Sequence, residues 1–125
     1  MIGVSTLSRT GVLREITATG ADVDPREYFI TEFPATDAAV RAGTMLEAHV
    51  DDPHSDPTER ALLARDGFAS LLVTPVIDAG TPLGILEFSN YTYRRWTRDD
   101  IVRARTVAEH LAGTLRRIGP SQRTA

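Results

Sequence analysis

Apolar positions follow two rhythms along this chain. Residues 70–91, "SLLVTPVIDAGTPLGILEFSNY", carry the stronger one. Leu71, Leu72, Val73, Val76 and Ile77 are apolar at both parities, the pattern of a strand covered on both faces. The "DAG" at 78–80 supplies a turn, and residues 83–91 return as an antiparallel partner. Pro75 has no amide hydrogen, which predicts a missing ladder bond and a bulge there. The second rhythm follows. Ile101, Ala104, Ala108, Leu111, Leu115 and Ile118 step by threes and fours, with Val102, Val107 and Ala112 beside them. This spacing predicts one long amphipathic helix over 97–118. Thr97 and Asp100 have the spacing of a capping box, and Gly119-Pro120 ends the helix. Residues 120–125 read as a disordered tail.

Upstream the signals are shorter. Residues 2–8 and 12–18 are rich in aliphatic and β-branched side chains, and Arg9-Thr10-Gly11 between them predicts a hairpin. Residues 19–27 read as loop, and 28–33 as an aromatic patch without a clear period. "ATDAAVRAG" predicts a short helix, with Thr36 at its N-cap and Gly43 as its stop. Residues 44–50 read as a strand. "TERALLARDG" predicts another short helix that closes at Gly67. The sum is one α+β domain over 1–119, an antiparallel sheet of five to six strands with helices on both faces.

Composition adds exclusions. Hydrophobic residues are 42% and charged residues 25% of the 125, the mix of a globular domain. Cysteine is absent, which removes disulfides, thiolate metal sites and cysteine nucleophiles. No apolar run approaches the roughly 20 residues of a membrane span, and no signal peptide is visible. A cytoplasmic location, away from membranes, is the expectation. Net charge is −3 and all fourteen basic residues are Arg. The Arg residues alternate with acids instead of forming a stripe, so no nucleic-acid partner is expected.

The order of these elements carries a resemblance. The form S-L-L-x-x-P at 70–75, L-G-x-L-E at 83–87, an aromatic-Thr-x-x-Asp cap at 96–100 and the A-x-x-L-A rhythm at 108–112 are similar, in that order, to the C-terminal half of a GAF domain. "SRTGVLREITATG" resembles that family's opening hairpin, and "FPATDAAVRAGTMLEAHVDD" its following helix and strand. The family usually begins with a helix before the first strand. Here Met1 falls almost at that strand, so this first helix is missing from the sequence as given. The long helix would then show part of its apolar stripe to water, and such patches are usually partner surfaces. A homodimer through Ile101, Ala104, Ala108, Leu111, Leu115 and Ile118 is the resulting expectation.

The resemblance implies a sensory or regulatory domain of a bacterial signalling protein, not an enzyme, with a pocket on the sheet face opposite the terminal helices. Its candidate walls are Tyr28, Phe29, Phe33, Thr36, Phe68 and Ser70, with Asp51 at the rim. An aromatic wall with a few hydroxyls suits a flat small molecule, a nucleotide or another metabolite. The alternative is a structural dimerisation module whose aromatics fill a ligand-free core. The cofactor is unknown. Without cysteine, neither the methionine sulfoxide reductases of this fold nor covalent bilin attachment is available, and the N-K-x-n-F-x-D-E motif of phosphodiesterase GAF domains is absent. Haem needs an axial ligand, and the histidines are His49, His54 and His110. Glu87, inside an apolar strand, is the one titratable group expected to be buried, paired with a nearby Arg.

One stretch looks like metal chemistry. "DDPHSD" at 51–56 packs three aspartates and a histidine into six positions, and such ligands suit hard or borderline cations. However, Asp56 precedes Pro57, and Glu59 lies three residues beyond it. Asp at N-cap, Pro at N1 and Glu at N3 start a helix. The expectation is a strand exit, a stiff loop and a helix cap, with no metal.

Overall fold

The computed structural model describes residues 1–18 and 26–118. Ten elements follow one another: β1 (Ile2–Leu7), β2 (Val12–Ala18), β3 (Glu27–Phe29), a 3₁₀ turn (Ile30–Glu32), α1 (Pro34–Ala42), β4 (Leu46–His49), α2 (Pro57–Asp66), β5 (Ser70–Asp78), β6 (Thr81–Asn90) and α3 (Arg98–Ile118). The strands form one sheet in the order β3-β2-β1-β6-β5-β4. Every neighbouring pair is antiparallel. The predicted α+β plan is therefore present, with six strands. The predicted loop over 19–27 and the tail at 120–125 fall largely or wholly outside the described residues.

Local chemistry accounts for the boundaries. Gly11 turns between β1 and β2 at φ +84°. Ala79 and Gly80 both take positive φ, 47° and 81°, between β5 and β6, which is the two-residue hairpin turn whose twist matches its strands. The 78–80 turn is therefore where the sequence put it. Gly43 and Gly67 end α1 and α2 in the left-handed conformation. Thr97 and Asp100 form the capping box: Thr97 N–H donates to Asp100 Oδ2 at 2.9 Å, and Asp100 N–H to Thr97 Oγ1 at 3.2 Å.

Three expectations shift. Pro75 stays in register opposite Ile85, and the irregularity falls one step later, between Val76 and Ile77. Helix α1 begins at Pro34 after Phe33, so Thr36 lies inside its first turn and is no cap. Pro's fixed φ starts that helix without a capping side chain. The aromatic patch at 28–33 splits into the end of β3 and the 3₁₀ turn.

The sheet divides two cores. One face buries Leu13, Ile30, Val40, Ala48, Leu63, Phe68, Leu71, Val73 and Ile85 under α1 and α2. The other packs Val4, Val76, Leu83 and Leu86 against Ala108, Ala112 and Leu115 of α3. Leu72, Trp96 and Ala104 extend this second layer. The Trp96 indole N–H donates to the Leu71 carbonyl at 3.1 Å, tying the start of α3 to β5. Here the expected dimer stripe needs correction. Ala104, Ala108 and Leu115 are spent on the protein's own sheet, which covers them. Ile101, Leu111 and Ile118 are half-buried. The exposed apolar side chains of α3 are Val102 and Val107, at 52% and 42%. No described helix is long and apolar enough to cross a membrane.

Gly84 sits on β6 opposite Thr6. A Cβ built there would lie 2.1 Å from the Ser5 carbonyl oxygen. Backbone is on both sides of that contact, so no side chain can give way. Gly84→Ala is expected to cost about 2–4 kcal/mol in urea unfolding. Gly67→Ala, where the Cβ meets open space and only φ +78° is strained, should cost about 1–2 kcal/mol. Equal losses at the two positions would contradict the close-approach explanation.

Candidate functional site

On the face opposite α3, the sheet and α2 part to leave a cavity of ≈ 190 Å³. Its floor is β5 and β6, through Leu71, Glu87 and Ser89. In register, Glu87 lies between Val73 on β5 and Gly3 on β1. Gly3 has no side chain, so its position on β1 sets none directly beside Glu87. Along one wall α2 presents Leu62, Leu63 and Asp66, spaced to face the sheet. Glu15 of β2 and Tyr28 of β3 form the other wall, with Arg26 and Met1 completing the lining. Phe68 and Tyr91 close one end as a stacked pair, with ring centres 4.6 Å apart and planes 24° from parallel. Tyr91 is 60% exposed, so its outer face is in solvent.

The rim is laced by ion pairs. Arg26 donates to both carboxylate oxygens of Asp66, at 3.3 and 3.1 Å. Arg65 Nε donates to Asp66 Oδ1 at 3.2 Å, and Arg65 Nη2 to the Tyr28 hydroxyl at 3.2 Å. The interior differs. Among the described residues no hydrogen bond or ion pair reaches the Glu87 carboxylate, contrary to the arginine partner expected for it. Its surroundings are acidic instead. Burial pushes its pKa up to about 7, and the charges of Glu59, Glu15 and Asp66 add to the shift. Burial likewise raises Glu15, against the opposing pull of Arg26. Glu59, fully buried at the start of α2, is also raised by burial, though Thr36 Oγ1 donates to its Oε1 and partly offsets this.

The predicted wall residues are thus only partly together. Tyr28 and Phe68 line the cavity. Phe33 supports Tyr28 from behind, edge-on at 5.4 Å. Phe29 is 57% exposed, because the β3 alternation turns it away from Tyr28. Thr36 is spent on Glu59. Ser70 shares its sheet face with Asn90 rather than with Leu71. Its hydroxyl accepts the Arg94 N–H at 2.9 Å and meets His49 Nδ1 at 2.8 Å. Asp51 is exposed in the turn after β4, outside the cavity lining. Four lining residues carry the site's polarity or cover and formed no motif: Glu15, Arg26, Asp66 and Tyr91. A signal for Asp66 was available, since it follows Glu59 by seven residues on one helix face.

The acidic stretch resolves as a connection. Asp56 Oδ2 accepts the N–H groups of Thr58 and Glu59, both at 3.1 Å. Asp52 Oδ1 accepts the His54 N–H at 2.9 Å. Glu59 does not fold back onto the cap; its carboxylate goes inward to Thr36. Among the described residues no group of His, Cys, Asp and Glu is arranged to hold a metal ion.

Glu87 gives the fold a pH signature. Its folded pKa lies above the ordinary carboxylate value, so the folded state holds a proton that the unfolded chain releases. Stability is therefore greatest below about pH 4.5 with respect to this group and falls as pH rises toward 7. The loss is on the order of 2 kcal/mol. Glu87→Gln should remove this loss, so its advantage over the parent should grow between pH 4.5 and 7 in denaturant titrations. A pH-independent difference would show that the carboxylate has a partner.

The GAF domain family model matches residues 4–115. Comparison with curated proteins gives no match. Among solved structures, the fold resembles the GAF domain of a two-component sensor histidine kinase from Bacillus halodurans, at 18% identity and TM-score 0.75, over 94% of this chain and 81% of that one. It also resembles a phycocyanobilin-bound GAF domain from a cyanobacterial phytochrome, at 13% identity and TM-score 0.76, over 97% and 74%. A GAF domain/HD domain protein from Geobacter sulfurreducens aligns at 14% identity and TM-score 0.75, over 94% and 80%. At these identities the likeness is one of fold. Matched by the family's model across both halves of its sheet, the chain belongs to the GAF domain family.

Proposed function

We propose that this GAF domain is a non-enzymatic sensory module of a bacterial signalling protein, working in the cytoplasm. It binds a small metabolite in the cavity between α2 and the sheet. The observation that carries this reading is the cavity itself. It holds ≈ 190 Å³ and leaves the Glu87 carboxylate uncovered, where a plain core would be filled. A module built only to dimerise gains nothing from an unpaired acid in its interior. The fold supports the same reading, since it is shared with a bilin-bound GAF domain. The cavity lies below the ~300–1,000 Å³ of pockets for drug-sized ligands, which favours a compact ligand. Binding would clamp α2 and Tyr91 against the sheet, and β5 would carry the change to α3 through the Trp96 bond.

Thermal unfolding against a metabolite panel tests the pocket. A true ligand at a hundredfold its Kd stabilises by about 2.7 kcal/mol, read as a rise of several degrees in Tm. Ser89→Leu, which fills the floor, should abolish that rise and leave the unliganded fold intact. A rise that survives Ser89→Leu places the ligand elsewhere.

Pairing of two copies through α3 is the second part of the proposal, and it rests on exposed Val102 and Val107. Light scattering should find a dimer for the parent and a monomer for Val102→Glu/Val107→Glu. An unchanged mass would remove these residues from any interface.

A further inference from the structure

The cavity has a definite charge character, which narrows what it can take. At the centre of its floor is the Glu87 carboxylate, which has no hydrogen bond or ion pair among the described residues. Strands β1 and β5 flank it and α3 covers the far side of the sheet, so its carboxylate opens only into the cavity. The charged and titratable groups around it come from every neighbouring element: Glu15 on β2, Tyr28 on β3, Glu59 and Asp66 on α2, and Tyr91 after β6. The cations of the lining are Arg26 and the N-terminal amine of Met1. Arg26 is bound to Asp66 through both carboxylate oxygens, and the amine donates to the Ser89 carbonyl at 2.7 Å. Among the described residues neither forms an ion pair with Glu87.

The walls are the second observation. Phe68 and Tyr91 stack at the mouth, and Tyr28 stands on the opposite side. Aromatic faces attract cations as well as flat rings. An anion would meet three carboxylates, whereas a cation would meet three carboxylates and aromatic faces. A quaternary ammonium would satisfy the charge but displace water from the Glu87 oxygens without offering them a hydrogen bond. A nitrogen cation that carries N–H groups satisfies both.

We infer that the cavity is selective for a compact organic cation with N–H donors, an amine or amidinium attached to a flat apolar body, held at its charged end by Glu87. This rests on the pocket-binding reading above and specifies its ligand class. It sets aside intact nucleotides, whose phosphates would face Glu15, Asp66 and Glu87. Binding requires the ionised carboxylate, so a cation takes up the role that a proton plays in the free protein. Affinity should then rise about tenfold from pH 6 to pH 8 with release of a proton, since Glu87 titrates at about 7.

Four probes of one shape test this: benzamidine and benzylamine as cations, benzamide as the neutral counterpart and benzoate as the anion. Binding is measured by calorimetry at millimolar concentration and located by NMR shifts on the full chain. The expected result is that both cations bind at least tenfold more tightly than benzamide, benzoate does not bind, and shifts centre on Glu87, Phe68 and Tyr91. Glu87→Gln, which should fold at least as stably as the parent, should erase the preference for cations while benzamide still binds. If benzamide or benzoate binds in the cavity as well as the cations, the ligand class is overturned and the pocket reading stands. If none of the four binds there, both fall. An affinity for cations unchanged in Glu87→Gln would also overturn the assignment.

Discussion

The pairing of β1 with β6 holds this molecule together. The strand order is two three-stranded meanders, β3-β2-β1 and β6-β5-β4, joined only along that seam. Its partners are far apart in sequence, with Val4 opposite Leu86 and Ser5 opposite Ile85. Closing so long a loop costs entropy before any contact is gained. The ladder must therefore be continuous, and Gly84 permits this where a side chain would strike the Ser5 carbonyl. Both cores span the seam. Val4 and Leu86 meet under α3, while Leu13 and Leu71 share the opposite core from different meanders.

The same seam makes the cavity. Gly3, Ser5 and Ser89 are small residues around Glu87, so the floor sinks where the two meanders meet. A domain selected only for stability would place a Leu or Val at position 87, between Val73 and the α2 face. Instead it keeps an acid surrounded by acids, which raises the proton affinity of the site and lowers stability near neutral pH. Local conflicts of this kind tend to mark functional positions.

Much of the fold was legible in the sequence because its signals are local. Asp56 before Pro57, Gly43 and Gly67 after short amphipathic runs, and Thr97 with Asp100 each specify a helix end within four residues. The β5–β6 hairpin follows from apolar runs around a turn. The site was less legible, because its parts come from five elements whose relative placement no local rule gives. Face assignment was the weak step. A one-residue difference separates Leu71, in the cavity, from Ser70, on the other face. The register also shifts between Val4 and Ser5 against β2, so alternation counted along β2 does not by itself place Glu15 on the cavity side. The expected arginine partner of Glu87 failed for a related reason: its cross-strand neighbours are Gly3 and Val73, and the nearby Arg26 and Arg65 are drawn to Asp66.

Trp96 links these layers. Its indole N–H is bound to the carbonyl of Leu71, whose side chain faces the cavity, and its ring packs with Leu72 and Ala104 on the α3 side. It is the only tryptophan in the chain, and the Arg94 guanidinium sits 5.2 Å from its ring centre. A hydrogen-bonded indole beside a fixed positive charge is a chromophore in a defined field. Movement of β5 alters both the bond and the distance to that charge. The domain thus carries a built-in optical gauge at the junction between its pocket floor and the first turn of its longest helix.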